Sequence, residues 1–198
     1  MEGRVKMVDY GYRTTADAVW LADQVSPQKG TETVLDVGIG AGGVSLCLLE
    51  RFQNLVVTGI DTSDEMLSNA WVNALANGRD IALEMGDIFN WKTDAQFDIV
   101  VTNPPYFSGT PREDAAHHNA DIYEWTRACI RRLTPRGMFY TIVAPVVFDQ
   151  VVAAAYDAKL GAITMRPIAT KTDNIERIII SGRLGVKSPS KLCSPKFI

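Results

Sequence analysis

From residue 33 to residue 143, short runs rich in β-branched and other apolar residues alternate with segments in which apolar positions recur every three or four residues. Strands are expected near 33–37, 56–60, 81–85, 97–102 and 138–143. One helix carries Val44, Leu46, Leu48, Leu49 and Phe52, and the next carries Met66, Leu67, Ala70, Trp71, Ala74 and Leu75 before Asn77-Gly78 closes it. Further helices are expected over Ile122 to Leu133, ahead of Thr134-Pro135-Arg136-Gly137, and over about Val147 to Lys159, with Gly161 ending the latter. This alternation builds a parallel sheet covered by helices on both faces. The last apolar runs, Ala162 to Ile168 and Glu176 to Ser181, are separated only by residues 169–175, too few for a helical crossover, so they pair as an antiparallel hairpin. The expected fold class is α/β, a doubly wound seven-stranded sheet, mostly parallel, with an antiparallel C-terminal hairpin. Its ligand crevice lies at the carboxyl ends of the first strands.

A chain of 198 residues with 46% apolar content holds one well-buried domain and little more. We assign residues 1–186 to that domain and 187–198, marked by Ser188-Pro189-Ser190 and Ser194-Pro195, to a basic irregular tail. Met1-Glu2-Gly3-Arg4-Val5-Lys6 lacks an apolar signal core, and no stretch approaches the roughly 18–20 apolar residues of a membrane span. The expectation is a cytosolic, cytoplasmic protein without membrane contact. Cys47, Cys129 and Cys193 are scattered, without CxxC spacing, so neither a disulfide framework nor a metal site is indicated. Net charge is −3, yet from Arg166 onward seven basic residues face only Asp173 and Glu176, a balance of +5 that leaves −8 elsewhere. Such a segment is either a phosphate contact or a solvated tail.

Asp36-Val37-Gly38-Ile39-Gly40-Ala41-Gly42-Gly43 follows the first expected strand and opens the first helix, where glycine permits sharp turning and close approach to a ligand. The spacing satisfies both GxGxxG and DxGxGxG, and Asp61, at the end of the second strand, is the acid that either version needs for ribose hydroxyls. Asp36 favours S-adenosylmethionine over a dinucleotide, because a carboxylate suits the cationic amino group of a methionine moiety and sits poorly beside a pyrophosphate. After the third strand, Gly86-Asp87-Ile88 reaches the same sheet edge, where Asp87 and Ile88 would contact adenine. A helix N-cap is the competing role for Asp87.

Asn103-Pro104-Pro105-Tyr106 directly follows the fourth strand. Two prolines lack N–H donors and leave nearby carbonyls free, the Asn103 amide adds an acceptor, and Tyr106 adds a stacking face. The four residues suit a flat amine held for attack on an electrophile. With the Asp36, Asp61 and Asp87 motifs, the chain resembles the class I S-adenosylmethionine-dependent methyltransferases that carry an NPPY motif and modify exocyclic or amide nitrogens. Gly11-Tyr12-Arg13-Thr14-Thr15-Ala16-Asp17-Ala18-Val19-Trp20-Leu21-Ala22 and the stretch from Asn174 to Lys187 are similar to the tRNA(Val) (adenine-N6)-methyltransferase group.

The resemblance implies a Rossmann-like fold and cofactor contacts from Arg13, Thr14, Asp36, Gly38, Gly40, Gly42, Asp61, Asp87, Ile88 and Asn103. Asn103, Pro104, Pro105 and Tyr106 would form the methyl-acceptor site, with tRNA or another structured RNA as partner and no metal. Thr14 or Thr15 as an N-cap and Asp17 in a first helical turn remain open alternatives for the N-terminal motif. A protein glutamine amide or guanine N2 in rRNA would fit the same clamp, and a non-catalytic nucleotide- or RNA-binding module is the alternative of another class. Phe107 to His118 is placed to cover a splayed-out base. Adjacent His117 and His118 read as an exposed turn, and Trp91 and Trp125 as packing residues.

Overall fold

Val34, Leu35 and Val37 in one run and Ile99, Val100 and Val101 in another are almost completely buried, and the two runs pair in parallel at the middle of the sheet. The computed structural model describes residues 5–8, 16–28, 32–105, 122–170 and 174–198. In chain order these form α1 (Ala16–Gln24), β1 (Glu32–Val37), α2 (Gly43–Arg51), β2 (Leu55–Asp61), α3 (Asp64–Ala76), β3 (Ala82–Met85), β4 (Phe97–Thr102), α4 (Ile122–Ile130) and β5 (Leu133–Val143). A 3-10 turn (Pro145–Val147), α5 (Phe148–Asp157), β6 (Leu160–Ala169), β7 (Ile175–Leu184), β8 (Lys191–Leu192) and β9 (Lys196–Phe197) complete them. The strands lie in the order β3-β2-β1-β4-β5-β7-β6-β8, with β9 also on β6. β1 to β5 pair in parallel, and β7 runs antiparallel between β5 and β6. The doubly wound, mostly parallel α/β sheet with its antiparallel hairpin is the expected one, and two two-residue strands add to its seven longer ones.

Side chains alternate across the sheet, so neighbouring β1 residues enter different cores. Val34 packs with α1, α2 and α3 through Leu21, Leu46 and Ala70, whereas Leu35 packs with α4 and α5 through Cys129 and Val151. On α3 the core stripe is Leu67, Ala70, Asn73 and Ala74, while Trp71 and Leu75 point outward at 60% and 65% exposure. An asparagine thus holds a core position that periodicity assigns to apolar residues.

Three local expectations change. α4 stops at Ile130 rather than Leu133, because Leu133 opens β5 beside Phe97 and Arg132 turns back to donate to the carbonyls of Trp91 and Thr93 at 2.6 and 2.9 Å. Gly161 does not terminate α5. Lys159, with φ 66°, makes that left-handed turn, and Gly161 lies inside β6, where a Cβ would stand 1.9 Å from the Val186 carbonyl oxygen. The C-terminal segment read as irregular lies along β6, with Cys193 N–H donating to the Met165 carbonyl and Ile198 N–H to that of Ala169, at 2.8 and 3.1 Å. These bonds cover part of an open strand edge. Of the seven basic residues from Arg166 onward, four are engaged within the chain: Arg166 with the Ser194 carbonyl, Arg177 with Asp17, Arg183 with the Met138 sulfur and Lys196 with Asp23. No helix among the described residues is long and apolar enough to cross a membrane.

Asp17 is 2% exposed, and its carboxylate accepts from Arg177 Nε at 3.0 Å, joining α1 to β7. The carboxylate is therefore a structural anchor. Arg177→Ala leaves it buried without that cation and is expected to lower unfolding free energy by about 2 kcal/mol, with Asp17→Asn restoring part of the loss. Urea denaturation of the two single variants and the double variant measures the coupling.

Candidate active site

Sheet register gathers the site. Val37 pairs with Ile60 on one side and Thr102 on the other, and Asp61 pairs with Met85. The residues that follow, Gly38, Thr62, Gly86 and Asn103, therefore leave the sheet side by side at its carboxyl edge. The chain order reverses between β1 and β4, the switch point at which open α/β sheets form a crevice. A cleft of about 590 Å³ lies there, lined by Val37, Gly38, Gly40, Ile60, Asp61, Thr62, Ser63, Met66, Gly86, Asp87, Ile88, Phe89, Asn103, Pro105 and Trp125.

The glycine-rich turn is built from backbone that side chains rarely tolerate: Gly38, Gly40 and Gly42 have φ of 70°, 54° and 86°. Four of its N–H groups are engaged inside the fold. Gly38 and Ile39 donate to the Ile60 carbonyl at 2.9 and 3.1 Å, Gly42 donates to that of Ile39 at 3.0 Å, and Gly40 donates to Asp61 Oδ2 at 2.9 Å. A pyrophosphate-cradling loop presents such groups to its anion. This loop instead adjoins a wall bearing the Asp61 and Asp87 carboxylates. Asp61 Oδ1 also accepts from Ser63 N–H at 3.0 Å, so two backbone donors orient the carboxylate while each oxygen keeps a lone pair for a diol.

Asp36 is placed differently from its sequence-based role. It is 1% exposed, lies beneath the loop, is not among the cleft-lining residues, and accepts from Ser45 Oγ at 2.6 Å. Burial pushes its carboxyl pKa up to about 6, opposed by hydrogen bonds from the Ser45 side chain and backbone and reinforced by the nearby Asp61 charge. Asp87 lines the cleft and also accepts from Phe89 N–H at 3.0 Å, capping a short turn rather than a helix. Ile88, 4% exposed, lies beside it. Asn103 is half-buried on the cleft wall, Pro104 is buried behind it and Pro105 is exposed at the cleft. No hydrogen bond to the Asn103 side-chain amide occurs among the described residues. Tyr106, Arg13, Thr14 and the segment from Phe107 to His118 lie outside the described residues, as do Tyr12 and Thr15.

Trp125 and Phe89 are site residues that the sequence did not single out. Trp125, assigned to packing above, lines the cleft 3.7 Å from where a Gly38 Cβ would stand, and meets Phe89 edge to face at 6.0 Å between ring centroids. Its Nε1 donates to Thr102 Oγ1 at 3.2 Å, and that hydroxyl donates to the Val37 carbonyl at 2.9 Å, tying the indole to the paired ends of β1 and β4. The available signal was Trp125 falling three residues after Ile122 on an amphipathic helix that follows the Asn103 motif. Trp91, by contrast, stacks on Phe97 under the Arg132 guanidinium.

Residues 15–150 match the family described as the methyltransferase small domain. The chain is 27% identical over 179 residues to a tRNA1(Val) (adenine(37)-N6)-methyltransferase of Glaesserella parasuis serovar 5, covering 85% of this chain and 75% of that protein. It is 35% identical over 92 residues to a release factor glutamine methyltransferase of Flavobacterium psychrophilum, covering 46% of this chain and 32% of that one. The chain thus spans three quarters of the first relative and a third of the second. Its fold matches a solved T. thermophilus 16S rRNA N2 methyltransferase in complex with AdoMet and guanosine at TM-score 0.63 and 20% identity, covering 88% of this chain and 44% of that one.

Proposed function

The chain belongs to the methyltransferase small-domain family and is an S-adenosylmethionine-dependent methyltransferase, and from this premise we propose that its acceptor is an exocyclic amine, adenine N6 in tRNA. The observation that carries the reading is the Asn103 amide, which has no hydrogen-bond partner among the described residues, beside Pro105 on the cleft wall and one residue beyond the β1–β4 register pair Val37 and Thr102. A side-chain oxygen there accepts one N–H of a planar amine, and the Pro104 carbonyl is the second acceptor we assign. Neither group competes as a donor for the nitrogen lone pair. The tRNA adenine-N6 name of the relative matched over most of this chain supports the base.

The residues present fit the cofactor: a glycine turn at the cleft, a carboxylate at Asp61 for the ribose and Asp87 with Ile88 for the adenine, around a volume within the roughly 300–1,000 Å³ typical of small-molecule sites. When bound, S-adenosylmethionine supplies an activated methyl group. The protein then has to align the acceptor nitrogen with it and exclude water, and the apolar surfaces of Pro105, Phe89 and Trp125 serve the second task. Of four tryptophans in the chain, Trp125 lines this cleft, so S-adenosylmethionine is expected to quench intrinsic fluorescence, and Trp125→Phe to remove most of that change. An undiminished signal in the variant would place the cofactor elsewhere.

A glutamine side-chain amide is a second planar nitrogen that suits this clamp, and relatives named for release factor glutamine methylation favour it as the second reading. The two separate in one experiment. Total tRNA from cells lacking the protein, incubated with enzyme and cofactor and digested for nucleoside mass spectrometry, is expected to gain N6-methyladenosine. Methylation of release-factor glutamine with unmodified tRNA would overturn the adenine assignment.

A further inference from the structure

Asn73 is fully buried on the apolar stripe of α3, and its amide joins two segments that are distant in sequence. Nδ2 donates to the Ala41 carbonyl in the glycine-rich turn at 3.0 Å, and Oδ1 accepts from Val8 N–H at 2.7 Å. Four residues later, Asn77 Oδ1 accepts from Lys6 N–H at 2.8 Å and its Nδ2 donates to the Lys6 carbonyl at 2.6 Å. Exposure alternates along residues 5–8, with Val5 and Met7 packed on the core and Lys6 and Val8 exposed. The spacing matches on both sides. Helix positions i and i+4 stand about 5–6 Å apart, and alternate residues of an extended segment about 6.6 Å apart.

We propose that Asn73 and Asn77 form a backbone-reading cleat that docks residues 5–8 on α3 and couples this docking to cofactor affinity through the glycine-rich turn. The argument rests on the S-adenosylmethionine reading of the cleft. An amide has one accepting and one donating end, and its orientation is set by the partners on each side. Val8 N–H on Oδ1 holds the donating end toward Ala41. With residues 5–8 undocked, that oxygen is a buried acceptor without its donor, and a flipped amide would set two oxygens against each other at Ala41. Ala41 lies between Gly40, whose N–H orients Asp61, and Gly42, where a Cβ would lie 3.6 Å from Ala70. Loss of the tether therefore reaches the cofactor wall. By linkage, a cofactor that favours the ordered turn also favours the docked segment.

The test uses the full chain and variants that leave the cleft and turn untouched. Asn77→Ala, whose side chain does not meet the turn, and Lys6→Pro, which removes the N–H that Asn77 accepts, are each expected to weaken S-adenosylmethionine binding about fivefold in calorimetry, the ratio equivalent to one net hydrogen bond. The double variant is expected to bind no more weakly than either single one. Circular dichroism and thermal melts report whether each variant is folded. Wild-type binding with unchanged affinity in both folded single variants overturns the coupling, as do fully additive losses. Failure of wild type itself to bind the cofactor overturns the cofactor reading and the coupling with it.

Discussion

Asn103→Ala is expected to lower kcat for methyl transfer by roughly a thousandfold while S-adenosylmethionine affinity stays within about threefold of wild type. The asymmetry follows from placement. Asn103 occupies the cleft wall where β4 ends, whereas the glycine turn, Asp61, Asp87 and Ile88 line the wall assigned to the cofactor. An acceptor that orients a nitrogen lone pair acts mainly on the reacting geometry, and losing near-attack alignment costs rate rather than ground-state affinity for the methyl donor. Single-turnover methylation and calorimetry on the same preparation separate the two effects. Turnover within tenfold of wild type would remove Asn103 from the acceptor site and leave the reaction to groups elsewhere in the cleft.

Asp36→Asn is expected to make the protein more stable at pH 7. The folded-state pKa of Asp36 is raised from 3.8 to about 6, chiefly by burial. Its stabilising contribution is therefore fully present below pH 3.8 and is lost as pH rises through about 6. A shift of that size is equivalent to about 3 kcal/mol in all, most of it lost between pH 4 and pH 7. The asparagine variant does not titrate and can still accept from Ser45, so its advantage over wild type should grow across this window. Urea denaturation at several pH values measures it. Equal stability of variant and wild type at pH 7 would show that Asp36 is relaxed in its ionised form.

The elements that sequence reading located are those set by local chemistry. Periodicity placed β1, β2, β3, β4, α2 and α3 because each element's apolar positions repeat with its own geometry, and the short interval between residues 168 and 176 left the antiparallel hairpin as the consistent pairing. Elements failed at their ends. Leu133 and Gly161 look like a helix residue and a helix stop, yet strand pairing with Phe97 and the approach of Val186 decide them.

The same division runs through the site. That Gly38, Gly40, Asp61, Asp87 and Asn103 line one cleft was legible because they stand at or just beyond strand ends, and parallel register carries strand ends to one edge. The places of Asp36, Trp125 and Asn73 were not. Asp36 shares the DxGxGxG motif, but its position on β1 turns the side chain under α2 toward Ser45, a direction set by the pleat and by which helix covers that face. Trp125 reaches Gly38 only because α4 packs on the other face of β1 and β4. Asn73 looks like an interruption in an apolar stripe until Ala41 and Val8, each far away in sequence, arrive on either side of its amide. Sequence by itself determined the sheet and the glycine turn, because backbone conformation and side-chain period are local properties. Tertiary structure alone decided which carboxylates face the cleft, which tryptophan lines it and how the N-terminal segment is tied to the turn, because burial and hydrogen bonding at those positions are made by partners from other parts of the chain.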